Sequence, residues 1–444
     1  MNEDNNEIQE NQENEIRPEK NEIYLEHALI KNEINYYNNV RIHKLEKTPR
    51  NAIYDLDIFT FSLEIKQKNE NSLNNFWDCT YKSNKSRELY EKLKLLKDRI
   101  EPYHNQSKWD DYKKRCNPFE YVYSPASFNI KSVARYHPIS RSFFKLWEIL
   151  CDFNQNNRES WNIATLAEGP GGFMDCLSCY RNNKNDNIYG ITLKPTNNDI
   201  PTWKKIEKRK KNVKYYKNFH IHYGNLYYAE ETRDYRQCFQ HNKADLITAD
   251  GGFDYSTDFN HQEQQSYRMI FSEMIMALSI QKINGCFIIK IFDVLTEFTQ
   301  KIIYILTIYY EDVYIIKPYT SRSANSEKYI YCSKFRGISE NHIREWYQIL
   351  NNWKYIIDYK NNQNIEYEII NLLGVSLPQS FIEQMENYNE LYVNQQILNI
   401  NNILELLENN HPINYYFYHQ QIINAIWWCN KYYMKITPFF LTFI

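Results

Sequence analysis

Between Ile163 and Cys332, short apolar runs recur at regular intervals: Ile163–Leu166, Ile188–Leu193, Ala244–Ala249, Cys286–Phe292, Val313–Lys317 and Tyr329–Cys332. Segments of helical spacing separate them. In Gln265–Lys282, for example, Met269, Ile270, Met274, Ala277, Leu278 and Ile280 favour one face. Strands alternating with helices predict an α/β fold with a mostly parallel sheet wrapped on both sides. The last two runs have only Pro318–Lys328 between them, which predicts a hairpin at one edge of that sheet.

The flanks read differently. Residues 1–22 are Asn- and Glu-rich with almost no large apolar side chain, the composition of a disordered polar tail. Residues 23–109 form an N-terminal adjunct that includes a charged helix around Ser86–Lys97, and residues 339–444 return to helical spacing, as in Gln396–Glu408. The core domain is expected over residues 110–338. A hydrophobic share of 43% fits a packed core, and a net charge of −2 excludes a polycation, so any nucleic-acid surface must be a local basic patch. No apolar stretch is long enough for a spanning helix, and neither a signal peptide nor a disulfide framework is visible. An intracellular setting is expected, without a membrane. Cys176 and Cys179 form a lone C-x-x-C at the start of a helix, where packing is a better reading than zinc. His220 and His222 lack a ligand-spaced partner, so no metal site is expected.

The chain has only ten glycines, and three fall within four residues of Ala167-Glu168-Gly169-Pro170-Gly171-Gly172-Phe173. The cluster follows a strand and precedes a helix. Glycines there let the backbone turn sharply and approach a ligand at the carboxyl end of the first strand. The spacing is neither a P-loop nor a dinucleotide-binding G-x-G-x-x-G.

With four further segments this loop resembles the FtsJ-like ribose methyltransferases. They are Ser140-Arg141-Ser142-Phe143-Phe144-Lys145-Leu146-Trp147-Glu148, Tyr189–Lys194, Thr248-Ala249-Asp250-Gly251-Gly252-Phe253, and Ile289-Lys290-Ile291-Phe292-Asp293. Thr320-Ser321-Arg322-Ser323-Ala324-Asn325-Ser326-Glu327-Lys328-Tyr329 completes the order, and it resembles most the branch acting on capped mRNA in eukaryotes and large DNA viruses. The resemblance implies a class I methyltransferase (Rossmann-like) sheet, which the edge hairpin fits better than a dehydrogenase sheet. It implies S-adenosylmethionine as cofactor and the 2′-hydroxyl of the first transcribed nucleotide as acceptor. Ribosomal or transfer RNA, and a non-catalytic RNA-binding subunit, remain the alternatives. The partner implied is the capped mRNA 5′ end, with other capping enzymes or RNA polymerase beside it, in a nucleus, the cytoplasm or a viral factory.

Removing a proton from a ribose hydroxyl needs a base, and a lysine serves only with a lowered pKa, which burial and a second nearby cation both favour. By resemblance Lys290 is that base, with Lys145, Asp250 and Glu327 positioning it and the ribose. Lys145 is expected to be the cation that lowers it. The cofactor side is implied to comprise Ser140, the loop residues Ala167, Glu168, Gly169, Pro170, Gly171, Gly172 and Phe173, and Asn225 with Leu226. Asn225 stands where family members commonly carry Asp, and Glu168 where small residues are commoner. A Glu168 carboxylate facing the methionine ammonium is one reading. Asn260 and Asn325, together with Lys113, Lys114 and Arg115, fall where the cap branch contacts its RNA. Each loop Asn is equally readable as a turn residue. The basic run Lys204–Lys211 is either a phosphate-contacting surface or a solvated helix face.

Overall fold

The computed structural model describes residues 41–50, 52, 61–67, 80–104, 108–125, 131–155, 159–196, 200–212, 218–252, 260–356, 367–409 and 415–443. The polar segment 1–22 and Phe253 lie outside them. The chain forms two compact units. The first is built from Ile42–Arg99 and Pro138–Ile400, and the second draws on Ile100–His137 and Asn401–Ile444.

The first unit is organised by an eight-stranded sheet. Its strands are β1 (Ile42–Lys44), β3 (Asn162–Leu166), β4 (Asn187–Thr192), β5 (Phe219–Tyr223), β6 (Ala244–Ala249), β7 (Gln281–Ile291), β8 (Tyr310–Ile316) and β9 (Lys328–Phe335). A separate ladder pairs β2 (Ser62–Gln67) with β10 (Tyr367–Leu373). The sheet order is β1-β8-β9-β7-β6-β3-β4-β5. From β7 through β5 all neighbours are parallel, whereas β9 runs antiparallel between β7 and β8. This is the mostly parallel sheet with an antiparallel end that the resemblance to class I methyltransferases implies. The expected hairpin is present, but β1 pairs antiparallel with β8 and occupies the edge instead. Residues separated by most of the domain make that pairing, so no local pattern announces it.

The helices of this unit are α1 (Asn84–Asp98), α2 (Ser142–Asp152), α3 (Gly172–Arg181), α4 (Lys204–Asn212), α5 (Arg233–Gln237), α6 (Gln262–Gln265), α7 (Tyr267–Ile280), α8 (Glu297–Tyr309), α9 (Glu340–Lys354) and, as far as Ile400, α10 (Gln379–Glu408). Every residue of α7 except Arg268 is buried. Its apolar face packs on the sheet, and α9 covers its back through Trp346 and Trp353 against Phe271. Burial on all sides favours a helix that is apolar all round. Because β3 has β6 on one side and β4 on the other, its carboxyl end is the topological switch point where α/β sheets open a ligand crevice.

In the second unit, the helices Lys108–Arg115 and Tyr415–Lys431 flank a short helical turn at Glu120–Val122. Gln421 Nε2 donates to the carbonyls of Lys114 (3.1 Å) and Asn117 (2.6 Å), and Tyr121 packs edge-on against Tyr418.

Candidate active site

The crevice wall is the loop after β3. Ala167 (φ 49°) and Gly171 (φ 110°) both sit in the left-handed region. A side chain on Gly171 would collide with Ile206 of α4, and one on Gly172 with the Ser140 and Ser142 hydroxyls. The loop therefore lies flat against its neighbours, leaving backbone at the crevice. Glu168 is turned inward. Its Oε1 accepts from the N–H groups of Phe173 (2.7 Å) and Met174 (3.1 Å) at the start of α3, and burial pushes its carboxyl well above the usual range. That oxygen is occupied by the helix, which weighs against the reading in which Glu168 faces an ammonium. Ser140 and Ser142 share a hydroxyl contact of 2.6 Å. At the end of β5, Asn225 Oδ1 accepts from Tyr227 N (3.0 Å), so one lone pair of that amide oxygen closes a local turn and one is left for a ligand.

The four residues singled out by sequence meet at the same sheet edge. Asp250 follows β6 immediately, and Lys290 is the penultimate residue of β7, the adjacent parallel strand. Glu327 directly precedes β9, and the reversal of that strand is what brings its start to the carboxyl ends of the parallel ones. Lys145 comes from α2. Lys145 Nζ lies 2.6 and 2.8 Å from the two Glu327 oxygens. Lys290 Nζ lies 2.9 Å from the Asp250 carbonyl and 3.3 Å from its Oδ1. Tyr329, opposite Lys290 in the ladder, donates to Asp250 Oδ1 at 2.9 Å. Ser321 Oγ donates to Glu327 Oε1 at 3.0 Å. A side chain on Gly252 would stand 2.9 Å from Lys290 Nζ, so the glycine leaves room for the amine.

Charge in this cluster is distributed differently from the expectation. Burial acts to lower Lys290, but Asp250, Glu327 and Glu273 outweigh it, and its pKa is raised. Lys145 is the lowered amine: burial dominates, and Arg141 adds to it against Glu327 and Asp250. Burial acts to raise Glu327, but Lys145 and Lys290 outweigh it and hold the carboxyl far below the usual range. The reason is that each lysine faces a carboxylate, so the like-charge contact expected between Lys145 and Lys290 is neutralised on both sides.

The sequence reading missed the supports. Glu148, one turn beyond Lys145 on α2, accepts from Tyr319 N (2.7 Å) and from Thr320 N and Oγ1 (2.8 and 2.6 Å). Lys317 Nζ donates to the carbonyls of Asn325 (2.5 Å) and Glu327 (2.8 Å). Lys328 Nζ donates to the carbonyls of Ser326 (3.0 Å) and Phe292 (3.1 Å), pairs with Asp293 (3.2 Å), and sits over the Tyr392 ring of α10. Glu273, the one acid of α7, accepts from Gly251 N at 3.1 Å. That lone acid in an apolar run is the signal that could have found it.

Among the residues expected to contact RNA, Asn325 lies in the Glu327 loop, beside the cluster. Asn260 Nδ2 donates to Asp98 Oδ1 of α1 at 2.8 Å. Lys113, Lys114 and Arg115 belong to the second unit, where Lys113 pairs with Asp110 and Arg115 lies over Tyr112.

The central stretch that carries this geometry is similar to a known family. Residues 138–335 match the family model of the FtsJ-like methyltransferases. This is a family of S-adenosylmethionine-dependent enzymes, and the FtsJ-like domain holds both the glycine loop and all four clustered residues. A Caenorhabditis elegans protein named cap-specific mRNA (nucleoside-2′-O-)-methyltransferase 1 is 32% identical over 153 residues, 34% of this chain and 17% of that one. Two Caenorhabditis briggsae proteins match over 243 residues, 53% of this chain. One, named cap-specific mRNA (nucleoside-2′-O-)-methyltransferase 1A, is 27% identical with 27% of its length covered. The other, named an inactive cap-specific mRNA (nucleoside-2′-O-)-methyltransferase 1B, is 26% identical with 28% covered. The matches thus span well under a third of these relatives. Identity alone does not separate a protein named active from one named inactive, so the weight falls on the site itself.

Proposed function

We propose that the chain methylates the 2′-hydroxyl of the first transcribed nucleotide of capped mRNA, with Lys290 as general base. The observation that carries this reading is the pair of lysine–carboxylate contacts, Lys145–Glu327 and Lys290–Asp250, set beside the glycine loop at one sheet edge. The cap as substrate rests on the Ser321–Glu327 loop and on the names of the relatives.

The crevice residues suit S-adenosylmethionine. The flat backbone of Ala167–Gly172, the Ser140 hydroxyl and the Asn225 amide are neutral donors and acceptors matching its methionine, ribose and adenine groups. Bound there, the cofactor supplies an electrophilic methyl on a positively charged sulfonium, adding a cation to the site. The chain's part is to align the ribose and receive its proton. Lys290 rests as an ammonium against Asp250 and must lose its proton before it can accept another. A cation placed near it favours the neutral amine. Asp250, held by Tyr329, fixes the direction of Nζ. Lys145, locked to both Glu327 oxygens, supplies a fixed donor beside the acceptor hydroxyl.

The test is to offer labelled S-adenosylmethionine with matched capped and uncapped RNAs. Label should enter the first nucleotide of the capped RNA alone. Equal labelling of both would remove the cap from the reading, and no labelling of any RNA would remove the methyltransferase. Lys290→Ala should abolish turnover and keep cofactor affinity within a few-fold.

A further inference from the structure

Glu273 is buried without solvent exposure in the middle of α7. Its Oε1 accepts the Gly251 N–H, while Oε2 is buried with no hydrogen-bond partner among the described residues. A carboxyl with one oxygen unserved inside a protein is costly, and a leucine in its place would cost nothing of that kind. Its position gives it a task. Gly251 and Gly252 are pressed between two side chains: a Cβ on Gly251 would collide with Glu273 Oε1, and one on Gly252 would meet Lys290 Nζ. Glu273 and Lys290 therefore lie on the two flanks of one dipeptide, directly after Asp250.

We propose that Glu273 is a positioning residue for Lys290, fixing the Asp250–Gly252 loop through the Gly251 N–H and, when ionised, placing a buried negative charge behind the Lys290 ammonium. The proposal rests on the reading of Lys290 as the base. Burial pushes Glu273 up to about 8, with Lys290 and the Gly251 N–H acting against burial and Asp250 acting with it. The charged and titratable groups acting on Glu273 are thus Lys290 from β7 and Asp250 after β6, with Tyr227 coupled to it from the loop before α5. Those acting on Lys290 are Asp250, Glu327 and Glu273. Two groups coupled this way share their protons, and the charge on one sets the ease of deprotonating the other. A neutral Glu273 lets Lys290 release its proton at lower pH, whereas an ionised one holds it.

Glu273→Gln keeps an acceptor for Gly251 and removes the charge. The Lys290 side chain can be titrated by NMR of [13Cε]lysine in the full chain, its signal assigned by its loss in Lys290→Arg. The Lys290 midpoint in Glu273→Gln should fall by about one pH unit or more, and the acid limb of the kcat profile should move down with it. Glu273→Met, which lacks both charge and acceptor, should shift the midpoint in the same direction and lower kcat further; it also serves if the Gln variant does not fold. An unchanged midpoint in a folded charge-removing variant overturns the proposal. Failure of the wild type to methylate any RNA would instead sink the methyltransferase reading, and the NMR comparison would still decide the coupling.

Discussion

Lys317 is the buried amine whose removal tells most about how the site is held. Burial is the main cause of its lowered pKa, with Lys328 and Lys145 adding to it against Glu327 and Asp293. A neutral amine has two N–H groups, and the carbonyls of Asn325 and Glu327 take both. Lys317→Met fills the space but orphans two buried carbonyls, at about 1–3 kcal/mol each. Against this, the wild type must strip a proton from the amine on folding. The unfolded chain binds that proton up to its ordinary value of 10.5, and the folded chain does not. Wild-type stability therefore rises with pH from the folded pKa to about 10.5, by up to about 1.4 kcal/mol per unit. The variant lacks this dependence. Urea unfolding of both proteins at pH 7, 8.5 and 10 should show a stability difference that widens with pH, reaching about 2–6 kcal/mol at the alkaline end. Displacement of the Glu327 main chain should also lower kcat by about 10²-fold per ångström. A difference that is flat or narrows with rising pH would refute a neutral Lys317.

Two further outcomes follow from the geometry. Gly252→Ala sets a methyl 2.9 Å from Lys290 Nζ; the tip of a flexible side chain can yield, so stability should change by less than about 1 kcal/mol while kcat falls about tenfold, read by thermal melts beside single-turnover assays. On α4, Lys205, Arg209 and Lys210 are engaged by Ile139 O, Asp175 and Phe219 O, which leaves Lys204, Lys208 and Lys211 on one exposed stripe at i, i+4, i+7. If RNA runs along it, changing all three to Gln should reduce the slope of log affinity against log salt by about 2, with cofactor affinity unchanged; an unaltered slope assigns the stripe to solvent.

What was legible in the sequence is what local pattern encodes. β6 begins and ends where its apolar run does, and β3, β4 and β8 start one to three residues before theirs. β5 was missed because His220 and His222 interrupt Phe219, Ile221 and Tyr223, leaving alternation without an apolar run. β7 starts at Gln281, five residues before Cys286, since Lys282, Ile283 and Asn284 are exposed at the sheet's rim. β2 and β10 pair across 300 residues, Tyr367 with Gln67, which no window along the chain can see. The clustered residues were readable because each falls at a strand end or inside a recognisable segment. Glu148, Lys317 and Lys328 were not, because each grips main-chain groups of the Tyr319–Glu327 loop or of Phe292, and main-chain groups leave no trace in the choice of amino acid. The expected lowering of Lys290 failed for a related reason: residue identities do not say which carboxylate each amine will face.

Glu148 and Lys145 are one helical turn apart on α2, and they grip opposite ends of the same loop, the first at Tyr319–Thr320 and the second at Glu327. Helix and loop thus behave as a single mechanical part. Glu327 is therefore held from two sides, by α2 through Lys145 and by the sheet through the start of β9, whereas Lys290 and Asp250 stand on the sheet alone. The gap between this clamp and the Lys290–Asp250 anvil, where an acceptor ribose would be inserted, takes its width from the seating of one helix together with the pairing of β9 on β7.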